Sequence, residues 1–353
     1  RSPGFLFDDL LFSLTSFDAE RLSNFYDYHQ LTGDPTFKYW INGLRSNLLS
    51  RRLIEVKRNN KIWHNGLAFN GLNAEGYTYL WTGYAGYPGG QATIVLGLLE
   101  YYNKKLVSTR VPDNRVLNNA LDGLNWILET QKENGAWRCA LKIFREYPAR
   151  RIDYSALETV GGTAECIRAL ILAYKITDYK KYRISAEKGL KWLNDKKGSV
   201  IGFNYLRDAG IFEEEGISAI IAAMANIDAY LCLKDEKYLK YALTWGKYLL
   251  TWHYLWETDK LKIKYGYDPL SWSITPRIAP YETAMVLSVY SKLYRLTGDN
   301  FWRKIFIQTY NKVAEFQESD GGLSETYFLN YLKGLSDIPV QQTFAANELL
   351  RAS

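Results

Sequence analysis

Cysteine, histidine and methionine are scarce: 353 residues hold three Cys, three His and two Met. Cys139, Cys166 and Cys232 stand far apart, without metal-ligand spacing. That excludes a disulfide framework or a zinc cluster as the organising device and leaves buried thiols as the expected role. His29 and His253 lie in helical stretches beside aromatic residues and read as packing groups. His64, in Trp63-His64-Asn65-Gly66, sits in an irregular segment where a core role would be unusual.

Cofactor signatures are missing as well. No phosphate-cradling Gly loop ends in Lys-Ser or Lys-Thr, and Gly86 to Gly90 lacks the strand and spacing of a dinucleotide fingerprint. There is no Asp-x-Asp-Asp acid motif, and Asp8-Asp9 lacks the third Asp of a diphosphate–metal site. The expectation is therefore no cofactor and no metal.

Nor is there a strong charge of one sign. The net charge of +6 is modest, and Arg51-Arg52 and Arg150-Arg151 are too short to make a nucleic-acid footprint. A basic cleft favouring an anionic substrate stays compatible with it. The longest apolar stretch, Ile217 to Leu233, carries Asn226 and Asp228 and falls short of the ~20 apolar residues of a bilayer span. No membrane span is expected. The chain opens on Arg1 without a Met, as a processed or trimmed chain does, which fits a secreted origin.

What is abundant is aromatic and repeated. Aromatics reach 15%, with 28 Tyr and 11 Trp outweighing Phe, which suits amphipathic surfaces that pack sugar rings as well as a helical core. One phrase recurs: an apolar helix, a turn around Asp, an aromatic, then an amphipathic helix. It is written at Thr32-Gly33-Asp34-Pro35, Thr177-Asp178-Tyr179, Lys234-Asp235-Glu236-Lys237-Tyr238 and Thr297-Gly298-Asp299-Asn300-Phe301. The first step is about twice the later ones, and the helix from Asp113 to Glu129 supplies the missing copy.

Helical hairpins repeated every roughly 60 residues bury their apolar faces by stacking, and usually close into a ring. At 353 residues the chain exceeds the roughly 250–300 residues of one ordinary core. A repeat architecture escapes that limit. The expected organisation is an N-terminal arm or first helix over 1–22 and one domain over 23–353, with helices near 159–176, 180–195, 216–233, 236–252, 281–296 and 300–317. Residues 59–91 interrupt the pattern with Gly, Asn and Pro turns, and a final helix is expected over Gln341 to Ala352.

Two phrases join the hairpins. Gln131-Lys132-Glu133-Asn134-Gly135-Ala136-Trp137 and Gln317-Glu318-Ser319-Asp320-Gly321-Gly322-Leu323 each close a helix with Gln, turn at Gly and return an apolar residue. They resemble the Gln-Trp repeat of squalene and terpenoid cyclases and the hairpin ends of six-hairpin glycosidases. On these phrases the chain resembles the α/α-toroid superfamily over about residues 23–352. The resemblance implies an all-α (α/α)5–6 toroid with an irregular insertion near 59–91, and a carbohydrate-active enzyme.

The helices before each Asp turn, rich in small residues, are expected to line the inside. Residues entering them should then ring a cleft opposite the Asp turns. Glu282, Glu215, Glu158 and Asp153 are the candidate carboxylates, and paired carboxylates across a cleft perform glycoside hydrolysis. Helix capping is the plainer role for any single one of them. His64 is the candidate for proton abstraction. Trp81, Tyr87, Gln91, Trp137, Tyr154, Arg277 and Tyr281 are candidate substrate-binding residues, with core filling the competing role for Trp81, Tyr87 and Trp137.

Three readings follow, with an oligo- or polysaccharide as the expected partner. A glycoside hydrolase comes first. A polysaccharide lyase or uronyl epimerase using His or Tyr comes second, and a non-catalytic glycan-, lipid- or partner-binding ring third.

Overall fold

A computed structural model describes residues 15–50, 56–58, 61–63, 88–138, 158–195, 201–202, 213–214, 216–253, 277–278, 280–317, 319, 327–330 and 334–337. Two compact units emerge: Arg1–Asp195 with Phe203–Gly210, and Lys196–Gly202 with Ile211–Ser353.

The first unit is three helical hairpins. These are α1 (Thr15–Thr32) with α2 (Pro35–Ser50), α3 (Pro88–Thr109) with α4 (Asn114–Thr130), and α5 (Val160–Thr177) with α6 (Lys180–Asp195). A small antiparallel pair, β1 (Val56–Arg58) and β2 (Lys61–Trp63), lies between the first two. The opening segment expected as an arm or first helix contributes Thr15–Leu22 to α1; residues 1–14 lie outside the described residues.

Burial separates the two helices of each hairpin. Almost every residue of α3 from Pro88 to Tyr102, and every residue of α5 from Val160 to Ile171, is buried. Helices α4 and α6 bury one stripe, such as Val116, Ala120, Leu124 and Ile127, and expose the other. A helix that is apolar all round must be surrounded, and an amphipathic one covers it from outside. The helices before each turn are thus the inner ones, as their small residues imply.

Direction within the layers follows from pairs of contacts. Ser23 bonds Glu100 and Tyr26 bonds Ser108, so α1 and α3 run parallel. Lys181 bonds Asn125 and Ser185 bonds Gln131, so α4 and α6 run parallel too. Inner helices approach closely where glycines allow it: a Cβ on Gly89 would lie 2.6 Å from the Gly162 Cα.

The second unit holds α7 (Gly216–Leu233) with α8 (Glu236–Leu249), and α9 (Pro280–Thr297) with α10 (Asn300–Glu315). Strands β3 (Ile201–Gly202) and β4 (Glu213–Glu214) pair ahead of α7. Strand β5 (Arg277–Ile278) joins β6 (Tyr327–Asn330) and β7 (Gly334–Asp337) in a three-stranded antiparallel sheet. No strands were expected over 327–337: the short apolar run there has no helix-length period, and pairing of β6 with β7 and with β5 makes it a sheet. The helix expected over 341–352 lies outside the described residues.

By length and composition helix α7 could cross a membrane, yet most of it is buried in packing. An inner helix of a helical double layer has that composition for the same reason a span does.

The hairpin turns are five copies of one backbone device. Gly33, Arg110, Asp178, Lys234 and Gly298 all take a left-handed conformation, φ 56 to 71°. Each donates its N–H to the carbonyl four residues back, at 2.8–2.9 Å. In four copies the preceding Thr (32, 109, 177, 297) donates its hydroxyl to the carbonyl four back and accepts from the N–H two ahead. Asp34, Asp113, Asp235 and Asp299 then accept a first-turn N–H of the outer helix.

Asp178 departs from the aligned phrase. It occupies the left-handed position of Gly33 and Gly298, one residue earlier than a capping Asp, because Asp tolerates that conformation better than most residues. Asp113 does more than cap: Arg45 grips both its oxygens at 2.7 Å and Lys105 adds a third contact at 3.0 Å. Burial alone would raise its pKa. The two cations outweigh that and hold it at about 2.

Candidate functional site

The loops leaving the outer helices lead into the inner ones, opposite the Asp turns. In the first unit that end is built on the Gln131 turn. The Gln131 amide donates to Gly135 O at 2.9 Å and to Ser185 O at 3.0 Å, and accepts from the Ser185 hydroxyl at 2.7 Å. Gly135 is needed there: its φ is +101°, and a Cβ would meet Lys188 O at 2.3 Å. Trp137 then turns inward, fully buried, its indole N–H donating to Ile127 O. Its backbone N–H donates to the Thr163 hydroxyl of α5, and its carbonyl accepts from Thr159. This ring fills the core; it does not offer a face to a sugar.

Glu158 stands two residues before α5 and closes the same turn. Its carboxylate pairs with Lys132 and accepts from Asn134 Nδ2 at 2.9 Å and from the Trp192 indole at 3.1 Å. Burial would raise its pKa; the three donors overcome that and hold it below the usual Glu value. A carboxylate kept ionised can act as a base, an anchor or a clamp, and it cannot supply a proton near neutral pH.

Gln91 lies on the first turn of α3, with 1% of its surface exposed. Glu282 and Tyr281 occupy the third and second positions of α9, and Arg277 lies on β5 opposite Phe328. Glu215, Asp153, His64, Trp81, Tyr87 and Tyr154 lie outside the described residues. The structure therefore brings Glu158 and Trp137 together around one turn, seats Gln91 at the start of a neighbouring inner helix, and sets Tyr281 and Glu282 at the start of α9 in the other unit.

A second set of groups escaped the sequence reading. Asp18, Glu20, Arg21 and Asn24 on α1, with Glu165 and Arg168 on α5, are all buried. Asp18 pairs with Arg21 at 3.1 Å and Glu165 with Arg168 at 3.4 Å. Ions removed from water cost several kcal/mol each unless paired and hydrogen-bonded, and these pairings offset part of that cost. The sequence shows an acid and an Arg three residues apart in each helix, a spacing equally common on exposed helix faces, so the pattern alone does not mark them as buried.

In the second unit, buried Ser218 and Thr283 stand at the corresponding starts of α7 and α9. His253 donates to or accepts from the Tyr290 hydroxyl at 2.6 Å. Tyr290 stacks on Trp302. Burial lowers the His253 pKa to about 4 and pushes Tyr290 well above its usual value. The pair is a neutral core contact, in line with the packing role expected for His253. Among the described residues, no group of three or more His, Cys, Asp or Glu could hold a metal ion.

No protein-family model matches the sequence, and no curated protein matches it. The fold does match solved structures. Cellobiose 2-epimerase from Bacillus thermoamylovorans superposes with a TM-score of 0.64 at 13% identity, covering 96% of this chain and 87% of that one. A GH76 α-mannanase from Bacteroides thetaiotaomicron gives 0.63 at 13% identity, covering 97% and 86%. A glycosyl hydrolase of family 88 from Bacteroides vulgatus gives 0.57 at 14% identity, covering 95% and 89%. The fold is the α/α toroid. At these identities the likeness concerns the fold alone.

Proposed function

We propose that the chain is a carbohydrate-active enzyme, in the first place a glycoside hydrolase, with 23–353 acting as one domain on an oligo- or polysaccharide. The observation that carries this reading is the buried charge at the starts of α1 and α5, Asp18 with Arg21 and Glu165 with Arg168. It adds to a fold whose solved neighbours include a mannanase, a family 88 hydrolase and an epimerase. Glu282 and Glu215, at the starts of α9 and α7, are the proposed carboxylate pair, with Asp153 in reserve. One would protonate the glycosidic oxygen while the other activates water or attacks carbon. Glu158, whose three donors favour its ionised form, suits the role of acid less well than these.

The epimerase reading stands second, favoured by the epimerases among the neighbours. There His64 or a Tyr such as Tyr154 or Tyr281 would take a proton from carbon, and Arg277 would hold an anionic substrate.

The test is Glu282→Gln and Glu215→Gln, each assayed for reducing-end release on a glycan panel. The hydrolase reading expects a loss of at least 100-fold for each. Undiminished release would overturn it. Interconversion of disaccharide epimers without release, or new absorbance from an unsaturated uronate, would select the second reading.

A further inference from the structure

The opposite end of the first unit, where the hairpins turn, has a surface character of its own. Helices α1 and α3 run parallel, and α5 runs with them because α4 and α6 are parallel. Their C-terminal ends and turns therefore share one end. There Leu31 is 84% exposed, and Val107 and Val111 are each 58% exposed. Single exposed aliphatics are ordinary, but neighbouring turns that each present one make a patch.

Positive charge gathers around it. Residues 27–38, 104–115 and 175–183 contain nine Lys and Arg against four Asp, whereas the whole chain has 44 against 38. Two of the four acids are engaged, Asp27 by Lys104 and Asp113 by Arg45 and Lys105. Arg110, Lys175 and Lys180 are exposed.

We infer that this end docks peripherally on an anionic lipid bilayer, with Leu31, Val107 and Val111 entering the headgroup layer and Arg110, Lys175 and Lys180 meeting acidic headgroups. Charge complementarity selects an anionic surface. The aliphatic tips select lipid over a soluble polyanion, since a hydrated polymer offers them no apolar environment. Within this unit, the Gln131 turn and Glu158 lie at the opposite end of the helices.

The test uses the full chain and sedimentation with vesicles of phosphatidylcholine alone or with 30% phosphatidylserine. The expected result is binding that needs phosphatidylserine and weakens at least tenfold at 0.5 M salt. It should weaken as much in Leu31→Ser/Val107→Ser/Val111→Ser and in Arg110→Glu/Lys175→Glu/Lys180→Glu. All six side chains are exposed, and unchanged circular dichroism confirms that the variants fold. Binding that is equal on both vesicles, or indifferent to either triple variant, overturns the proposal. So does retention on heparin without vesicle binding, which would identify an acidic polymer as the occupant.

Discussion

Gln131 and Ser185 exchange two hydrogen bonds across neighbouring outer helices: amide to carbonyl at 3.0 Å, and hydroxyl to amide oxygen at 2.7 Å. A third bond, to Gly135 O, fixes the turn that delivers Trp137 to the core. One side chain thus ties helix α4, its loop and helix α6 together.

Gln131→Ala removes all three bonds and leaves the Gly135 and Ser185 carbonyls without this donor. The expected loss is about 2–3 kcal/mol, read as a lower urea midpoint with an unchanged slope. Ser185→Ala, which removes only the hydroxyl bond, should cost about 1 kcal/mol. Equal effects of the two variants would show that the amide contacts contribute nothing.

Glu158→Ala separates a clamp from a catalytic group. It strips the partner from Lys132, Asn134 and the Trp192 indole, and should lower stability by about 1–2 kcal/mol, discounted for the partly exposed Lys132. Once glycan turnover is measured, kcat should stay within about threefold of the parent. A large fall in kcat without a loss of stability would make Glu158 a reacting group. With its pKa held below the usual value, Glu158 contributes stability above the unfolded value and loses it as pH falls through the folded one.

His253 makes stability depend on pH with the opposite charge type but the same direction. Its folded pKa, about 4, lies below the unfolded 6.5, so the folded state favours the neutral ring. Its contribution is complete above pH 6.5 and is lost as pH falls toward about 4, on the order of 3 kcal/mol in all. Urea unfolding at steps through that range should show the decline, and His253→Gln should flatten it. A variant with the parent's slope would assign the effect to another group.

Much of the fold was legible because its signals are local. The helices at 180–195 and 216–233 were bounded as observed, since an apolar period and the turn residues beside them, Asp178 and Lys234, act within a few residues. The inner and outer roles followed from small apolar residues against charged ones. The Gln131–Gly135–Trp137 phrase announced its own turn. Asp178 was misaligned by one position because sequence records the Asp but not the left-handed backbone it occupies.

The site was less legible. Trp137 looked like a loop aromatic, and only the packing of α5 and α6 against it shows a buried ring. Glu158 read as a cleft carboxylate; its donors come from Lys132, Asn134 and Trp192, groups brought in by a turn and by a separate helix. Asp18 and Glu165 were passed over because burial of charge is a property of the assembled layers.

The sequence by itself determined the repeated hairpin, its turn chemistry and the division into inner and outer helices, because each depends on residues within one or two helical turns. Only the tertiary structure decided which polar groups are buried, which carboxylate is held ionised and which apolar side chains stay exposed. Those depend on water being excluded by elements far apart in the chain, and no local pattern records that.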